Sequence, residues 1–141
     1  MQDLLVFAGT HIGLMVALAV VAVAIVANEV HGSFSGGKKL TAGEAVRLIN
    51  DRDALVLDVR PAAEFKKGHL LGAVNIPSDK LKDRLSELPK DKQRPVIVVC
   101  ALGGASRESA IYLQSSGHPE AYPLAGGINA WTAASLPLTV K

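Results

Sequence analysis

The chain has 141 residues, of which 49% are hydrophobic and 20% charged, and its formal net charge is +2. This composition excludes a disordered chain, and the length excludes several large domains. The basic residues do not cluster with aromatic ones, which argues against nucleic-acid binding. The single cysteine excludes an internal disulfide, and the four scattered histidines lack metal-ligand spacing, so we expect neither a metal nor a cofactor.

Residues 1–28 are predicted to form a transmembrane anchor helix. No Asp, Glu, Lys or Arg occurs from Leu4 to Asn28, and residues 12–27 are all apolar or glycine. As a helix, residues 4–27 would be about 36 Å long, which is enough to cross a hydrocarbon core of about 30 Å. A cleaved signal peptide is the alternative, but the first three residues carry no base and the apolar run is too long for one.

The flanks of this segment predict its orientation. No base precedes it, whereas Lys38 and Lys39 follow it, so the positive-inside rule places the N-terminus outside and the rest of the chain in the cytoplasm. Residues 29–39 are rich in Gly and Ser and are predicted to be a flexible linker with a reach of about 18 Å.

Small residues follow one face of the predicted anchor. Gly9, Gly13 and Ala17 are spaced four apart, a pattern that lets two membrane helices pack closely. Either this face associates with another helix, or the pattern reflects only the abundance of Ala and Gly in the segment.

Residues 40–141 are predicted to form one α/β domain, because strand and helix patterns alternate along them. Thr41 and Glu44 have the spacing of a capping box, and residues 96–99 are β-branched throughout, which is typical of a central strand buried on both faces. We predict strands near residues 54–58, 73–76, 96–99 and 122–124, and helices near residues 42–49, 78–88, 105–115 and 128–134. The expected architecture is a mainly parallel sheet flanked by helices.

Cys100 stands where the predicted central strand ends, before a loop with two glycines and the start of a helix. That edge of an open α/β sheet is where ligands bind, and loop N–H groups together with a helix N-terminus stabilise an anion. This layout favours a nucleophile over a small buried core cysteine. A P-loop is excluded because no Lys follows Gly104, and a Cys-dependent phosphatase is disfavoured because the sixth residue after Cys100 is Ser106, not Arg.

Residues 38–137 resemble the rhodanese family. Cys100 falls at the position of that family's nucleophile, and Gly103 and Ser106 match its C-x-x-G-x-x-[ST] loop. The other matching motifs are Leu57–Arg60, Gly68–Leu70, Gly72–Pro77 and Leu124–Trp131. The resemblance extends to bacterial inner-membrane members with one N-terminal membrane helix, which implies an inner-membrane location for this chain.

The resemblance implies a sulfurtransferase in which Cys100 takes sulfane sulfur from a donor, carries it as a persulfide and passes it to a thiol acceptor. The loop formed by Ala101, Leu102, Gly103, Gly104, Ala105 and Ser106 would hold the charged sulfur through its N–H groups. Many relatives carry Arg or Lys in this loop, often at the position of Ala105, whereas residues 101–105 are uncharged here. The alternative is therefore a rhodanese-fold binding module at the membrane with little or no catalysis.

Three charged residues are further candidates for the site. Asp58 and Arg60, at the end of a predicted strand, are either a structural ion pair or support for the active-site side. Arg107 is either a surface base on the helix or a contact for the donor's anion.

Overall fold

The computed structural model describes residue 7, residues 9–34 and residues 37–140. The chain divides into two compact units, with the boundary between Gly36 and Gly37. The first unit carries the predicted anchor, and the second carries the α/β domain. Because residues 1–6 and 8 are not described, only part of the predicted anchor segment lies within the described residues.

Helix α1 of the first unit runs from Ile12 to Phe34. It includes residues 29–34 of the predicted linker, while residues 35 and 36 lie outside the described residues. No helix in the described part of the chain is both long and apolar enough to cross a membrane. The transmembrane helix predicted for residues 1–28 is thus not found there; residues 1–6 and 8 are not described, and α1 continues through the polar residues Asn28, Glu29 and His31. The predicted packing through Gly9, Gly13 and Ala17 stays a prediction.

The second unit is built on a parallel sheet of four strands in the order β2-β1-β3-β4. The strands are β1 (Leu55–Asp58), β2 (Val74–Asn75), β3 (Val96–Val99) and β4 (Ala121–Pro123). All four residues of β1 and of β3 are buried, as expected for strands covered on both faces. The predicted α/β class with a mainly parallel sheet is confirmed.

Within residues 37–140, four α-helices accompany the sheet: α2 (Ala42–Arg52), α3 (Ala62–Lys67), α4 (Gly104–Ser115) and α5 (Gly127–Ala133). The capping box at the start of α2 is present, with the Glu44 N–H donating to Thr41 Oγ1 at 3.3 Å and the Thr41 N–H donating to Glu44 Oε2 at 2.9 Å. Helix α3 was not expected, because six residues are too few for a helical period to show in the sequence.

The α-helix predicted for residues 78–88 is wrong. Two short 3-10 helices stand there instead, Ser78–Lys80 and Leu85–Glu87. The first of these helices begins after Pro77 and has no side-chain cap. Leu81 and Leu88 are nevertheless buried. They are seven residues apart, as on one face of a helix, but here two separate turns bury them.

Side chains from β1 and β3 alternate between two hydrophobic clusters. On one face, Val96, Val98 and Cys100 pack with Leu113 of α4 and with Leu81. On the other face, Ile97 and Val99 pack with Ala45 of α2 and with Ile128 and Trp131 of α5. Helices therefore cover both faces, and the period-two pattern of β3 delivers Cys100 to the α4 face.

Candidate active site

Cys100 directly follows β3, at the carboxyl edge of the sheet, and is the chain's free cysteine. The residue is 4% exposed because its side chain packs in the hydrophobic cluster on the α4 face. The sulfur is thus held by a rigid strand on one side and by the loop that leads to α4 on the other. This is the position where a parallel sheet places reacting groups.

Two groups of the Cys100 loop, residues 100–106, contact the sulfur. The Gly103 N–H donates to Cys100 Sγ over 2.9 Å, and Sγ lies 3.3 Å from Ser106 Oγ. Ser106 is completely buried, and its hydroxyl donates to the Gly103 carbonyl at 3.0 Å. The loop therefore folds back on the cysteine and brings one backbone N–H and one hydroxyl, both neutral, against the sulfur.

Gly103 gives the loop its curvature. Its φ is +105°, a region that side chains disfavour, and it is the N-cap of α4, which begins at Gly104. A Cβ at Gly103 would also lie 3.3 Å from the Gly126 nitrogen. The conformation that points the Gly103 N–H at Sγ therefore requires glycine. It also places the start of α4, the positive end of the helix dipole, beside the sulfur.

The other loop side chains do not enclose the sulfur tightly. Ala101, Gly104 and Ala105 are exposed, and Leu102 is 73% exposed, so the leucine is not packed over Cys100. Arg107 is half-buried in the first turn of α4. The surroundings of Cys100 are apolar and uncharged along residues 101–105.

A second glycine turn holds the Cys100 loop from the side of α5. The Ile128 N–H donates to the Cys100 carbonyl at 2.8 Å, and the Asn129 N–H lies 3.4 Å from the Ala101 carbonyl. Gly126 and Gly127 have φ of +71° and +60°. A Cβ on Gly127 would collide with the carbonyl oxygens of Cys100 and Ala101. These residues support the site although sequence reasoning did not assign them to it; the only signal was the motif Leu124–Trp131.

Asp58 and Arg60 form a buried ion pair beside the site. Arg60 Nη2 lies 2.6 Å from Asp58 Oδ2 and also donates to the Gly68 carbonyl at 2.7 Å. Asp58 is in register with Val99, and the Val59 N–H donates to the Val99 carbonyl at 2.9 Å. The pair fixes the chain that leaves β1 next to the strand bearing Cys100, and no hydrogen bond joins it to the sulfur among the described residues.

The described residues contain no group of three or more His, Cys, Asp or Glu side chains close enough to hold a metal ion. What they do contain is one nucleophile with a backbone donor, the Gly103 N–H, aimed at it. Such an arrangement can stabilise negative charge on sulfur, both in a thiolate and in a terminal persulfide. It suits a cysteine sulfur that attacks another molecule, takes up a group from it and later gives that group up.

Comparisons with known proteins agree with this geometry. The family described as Rhodanese-like domain matches residues 41–134. The Escherichia coli protein YibN is 37% identical over 98% of this chain and 97% of its own length. Thiosulfate sulfurtransferase GlpE of Shewanella oneidensis is 32% identical over 72% of this chain and 98% of its own length. A rhodanese-related protein from Thermoplasma volcanium superposes with a TM-score of 0.65 at 26% identity, over 74% of this chain and 99% of that one.

We expect Gly127→Ala to damage the site through the backbone. The added methyl group would push the Cys100 and Ala101 carbonyls away from α5 and would require a left-handed alanine. The expected cost is about 1–3 kcal/mol in the free energy of unfolding, measured by chemical denaturation.

Gly43→Ala is the matched control, because no atom lies within 4 Å of a Cβ at that position in α2. It should be neutral or stabilising by about 0.5–1 kcal/mol. Equal stability of the two variants would contradict the importance of the Gly127 contact.

Proposed function

Because the chain belongs to the rhodanese-like domain family, we propose that it is a sulfurtransferase that carries sulfane sulfur on Cys100. The observation that supports this most directly is the 2.9 Å hydrogen bond from the Gly103 N–H to Cys100 Sγ. A backbone donor aimed at sulfur stabilises the thiolate that attacks and the persulfide that results. No cofactor is needed for either step.

The first step transfers sulfur from donor to enzyme. The Cys100 thiolate attacks the outer sulfur of the donor, a new S–S bond forms, and the donor's own S–S bond breaks. The leaving group departs with the electron pair, as sulfite when the donor is thiosulfate. The thiol proton leaves to solvent before the attack, and the Ser106 hydroxyl, which lies 3.3 Å from Sγ, can then rotate and donate to the thiolate.

The second step returns the enzyme to its starting state. An acceptor thiolate attacks the outer sulfur of the persulfide, forming a persulfide on the acceptor, and Cys100 leaves as a thiolate. The two steps balance without an external oxidant. Because Cys100 is the only cysteine in the chain, the acceptor must come from another molecule.

Intact-mass measurement tests this function. After incubation with a sulfane-sulfur donor, the full chain should gain the mass of one sulfur atom and lose it on addition of a thiol. Cys100→Ser should gain nothing, and Ser115→Ala, at an exposed position in the last turn of α4, should still gain it. No mass gain with thiosulfate, polysulfide or a persulfidated protein would overturn the proposal and leave a rhodanese-fold binding module.

We also propose that thiosulfate is a poor donor. It is a dianion, and residues 101–105 supply backbone dipoles but no positive charge. A less charged persulfide, including a protein-borne one, meets no such repulsion. The donor class therefore follows from the charge of the loop.

Ala105→Arg tests the effect of loop charge. A cation at this position is worth about 1.5–3 kcal/mol toward an anion, so kcat/KM for thiosulfate should rise roughly ten- to a hundredfold. Ala105→Gln, which has length without charge, should change it little. An unchanged kcat/KM in Ala105→Arg, or efficient turnover of thiosulfate by the parent, would contradict the loop-charge argument.

For the N-terminal segment we propose attachment to the bacterial inner membrane, with the N-terminus outside and the rhodanese-like domain in the cytoplasm. Two features support it: the uncharged run from Leu4 to Asn28, and the exposure of every described side chain from Gly9 to Ala27. An apolar surface of this extent is unfavourable in water and needs a cover. The full chain should stay in the membrane pellet after alkaline extraction, and Leu18→Lys with Val21→Lys should release it; release of the unmodified chain would contradict the proposal.

A further inference from the structure

A groove of about 280 Å³ lies between the Ser78–Lys82 turn and α4, and we call it the side groove. Its walls include Ala105, Glu108 and Tyr112 of α4, and Asp79 and Lys82 of the turn. The volume suits a molecule of a few heavy atoms. None of these side chains takes part in the hydrogen bonds around Cys100.

The side groove adjoins the Cys100 loop. Ala105 belongs both to that loop and to the groove wall. Ser109, which also lines the groove, follows Ser106 by three residues on α4, and residues at this spacing are neighbours on a helix surface. Ser106 Oγ is 3.3 Å from Cys100 Sγ, so the groove wall at Ser109 lies about one helical turn beyond the residue that contacts the sulfur.

Ser109 is the groove's unexplained residue. It is 5% exposed, and its hydroxyl makes no hydrogen bond with any residue that the structure describes. The hydroxyl oxygen is not enclosed, because in the described residues His118 Nδ1 is the one fully buried side-chain polar atom without a partner. A hydroxyl that lines a groove, stays open to it and has no partner among the described residues is available to a polar ligand.

The charges of the side groove have both signs. Lys82, Asp79 and Glu108 form no ion pair with one another or with other described residues. The Lys82 ammonium lies 5.8 Å from the centre of the Tyr112 ring. One ammonium and two carboxylates around an apolar floor match a ligand that carries both a carboxylate and an ammonium.

We propose that the side groove binds the thiol acceptor, and that this acceptor is zwitterionic, an amino-acid-type thiol. Lys82 contacts its carboxylate, Asp79 and Glu108 contact its ammonium, and Ser109 donates a hydrogen bond to it. The acceptor thiolate then attacks the outer sulfur of the Cys100 persulfide, and Cys100 leaves as a thiolate. This inference rests on the proposed sulfurtransferase function and names its acceptor class.

Three small thiols distinguish the contact to the carboxylate from the contact to the ammonium. They are cysteine, cysteamine, which lacks the carboxylate, and 3-mercaptopropionate, which lacks the ammonium. The full chain is loaded with sulfur from polysulfide, and the second-order rate constant for discharge is measured with each thiol. Rates are compared as the ratio of variant to parent for the same thiol, so that differences in thiol reactivity cancel.

Each variant should affect only the thiols that carry its partner. Lys82→Gln should slow cysteine and 3-mercaptopropionate about three- to tenfold and leave cysteamine unchanged. Asp79→Asn with Glu108→Gln should slow cysteine and cysteamine but not 3-mercaptopropionate. Lys80→Gln is the matched control, because Lys80 is exposed in the same turn but does not line the groove; it should change none of the rates.

Ser109→Ala separates binding from folding. Removing a hydroxyl that has no partner among the described residues should leave the melting temperature nearly unchanged, while slowing discharge to cysteine. If the persulfide never forms, the proposed function fails. If it forms and all variants discharge to the three thiols at the parent's rates, the function stands and the acceptor site is wrong.

Discussion

The site depends on a close approach between two stretches of backbone. Gly127 lies so near the carbonyls of Cys100 and Ala101 that any side chain there would collide with them, and the Ile128 N–H donates to the Cys100 carbonyl. With its carbonyl held by α5, the chain after β3 must turn toward α4, and Gly103 allows that turn at a φ of +105°. The donor that faces the sulfur is therefore positioned by contacts that never touch the sulfur.

Local patterns predicted much of the fold. Each successful signal spans only a few residues and describes a local conformation. These signals are the β-branched run of β3, the Thr41–Glu44 capping box and the loop after Cys100. The two 3-10 helices escaped prediction because buried leucines at helical spacing do not distinguish one helix from two turns. The Gly127 contact escaped it because a glycine's packing partner, far away in the sequence, leaves no local trace.

Charge is distributed around the site in an uneven way. The groups closest to the sulfur are neutral dipoles, whereas formal charges stand one turn away, in the side groove. A positive charge in contact with the sulfur would favour every anionic donor. Charges one turn away instead distinguish molecules by the charged groups that lie far from their reacting sulfur. Asp58 and Arg60 neutralise each other in the interior and so leave this field undisturbed.

The 4% exposure of Cys100 has a consequence for the lifetime of the protein. A thiolate that is open to solvent is readily oxidised by peroxide to sulfinic acid, which most cells cannot repair. Here the resting sulfur is shielded, but a transferred sulfur atom would extend about 2 Å farther out, the length of an S–S bond. The outer sulfur of a persulfide would therefore lie closer to solvent than the Cys100 sulfur, and an oxidant would strike this replaceable sulfur first.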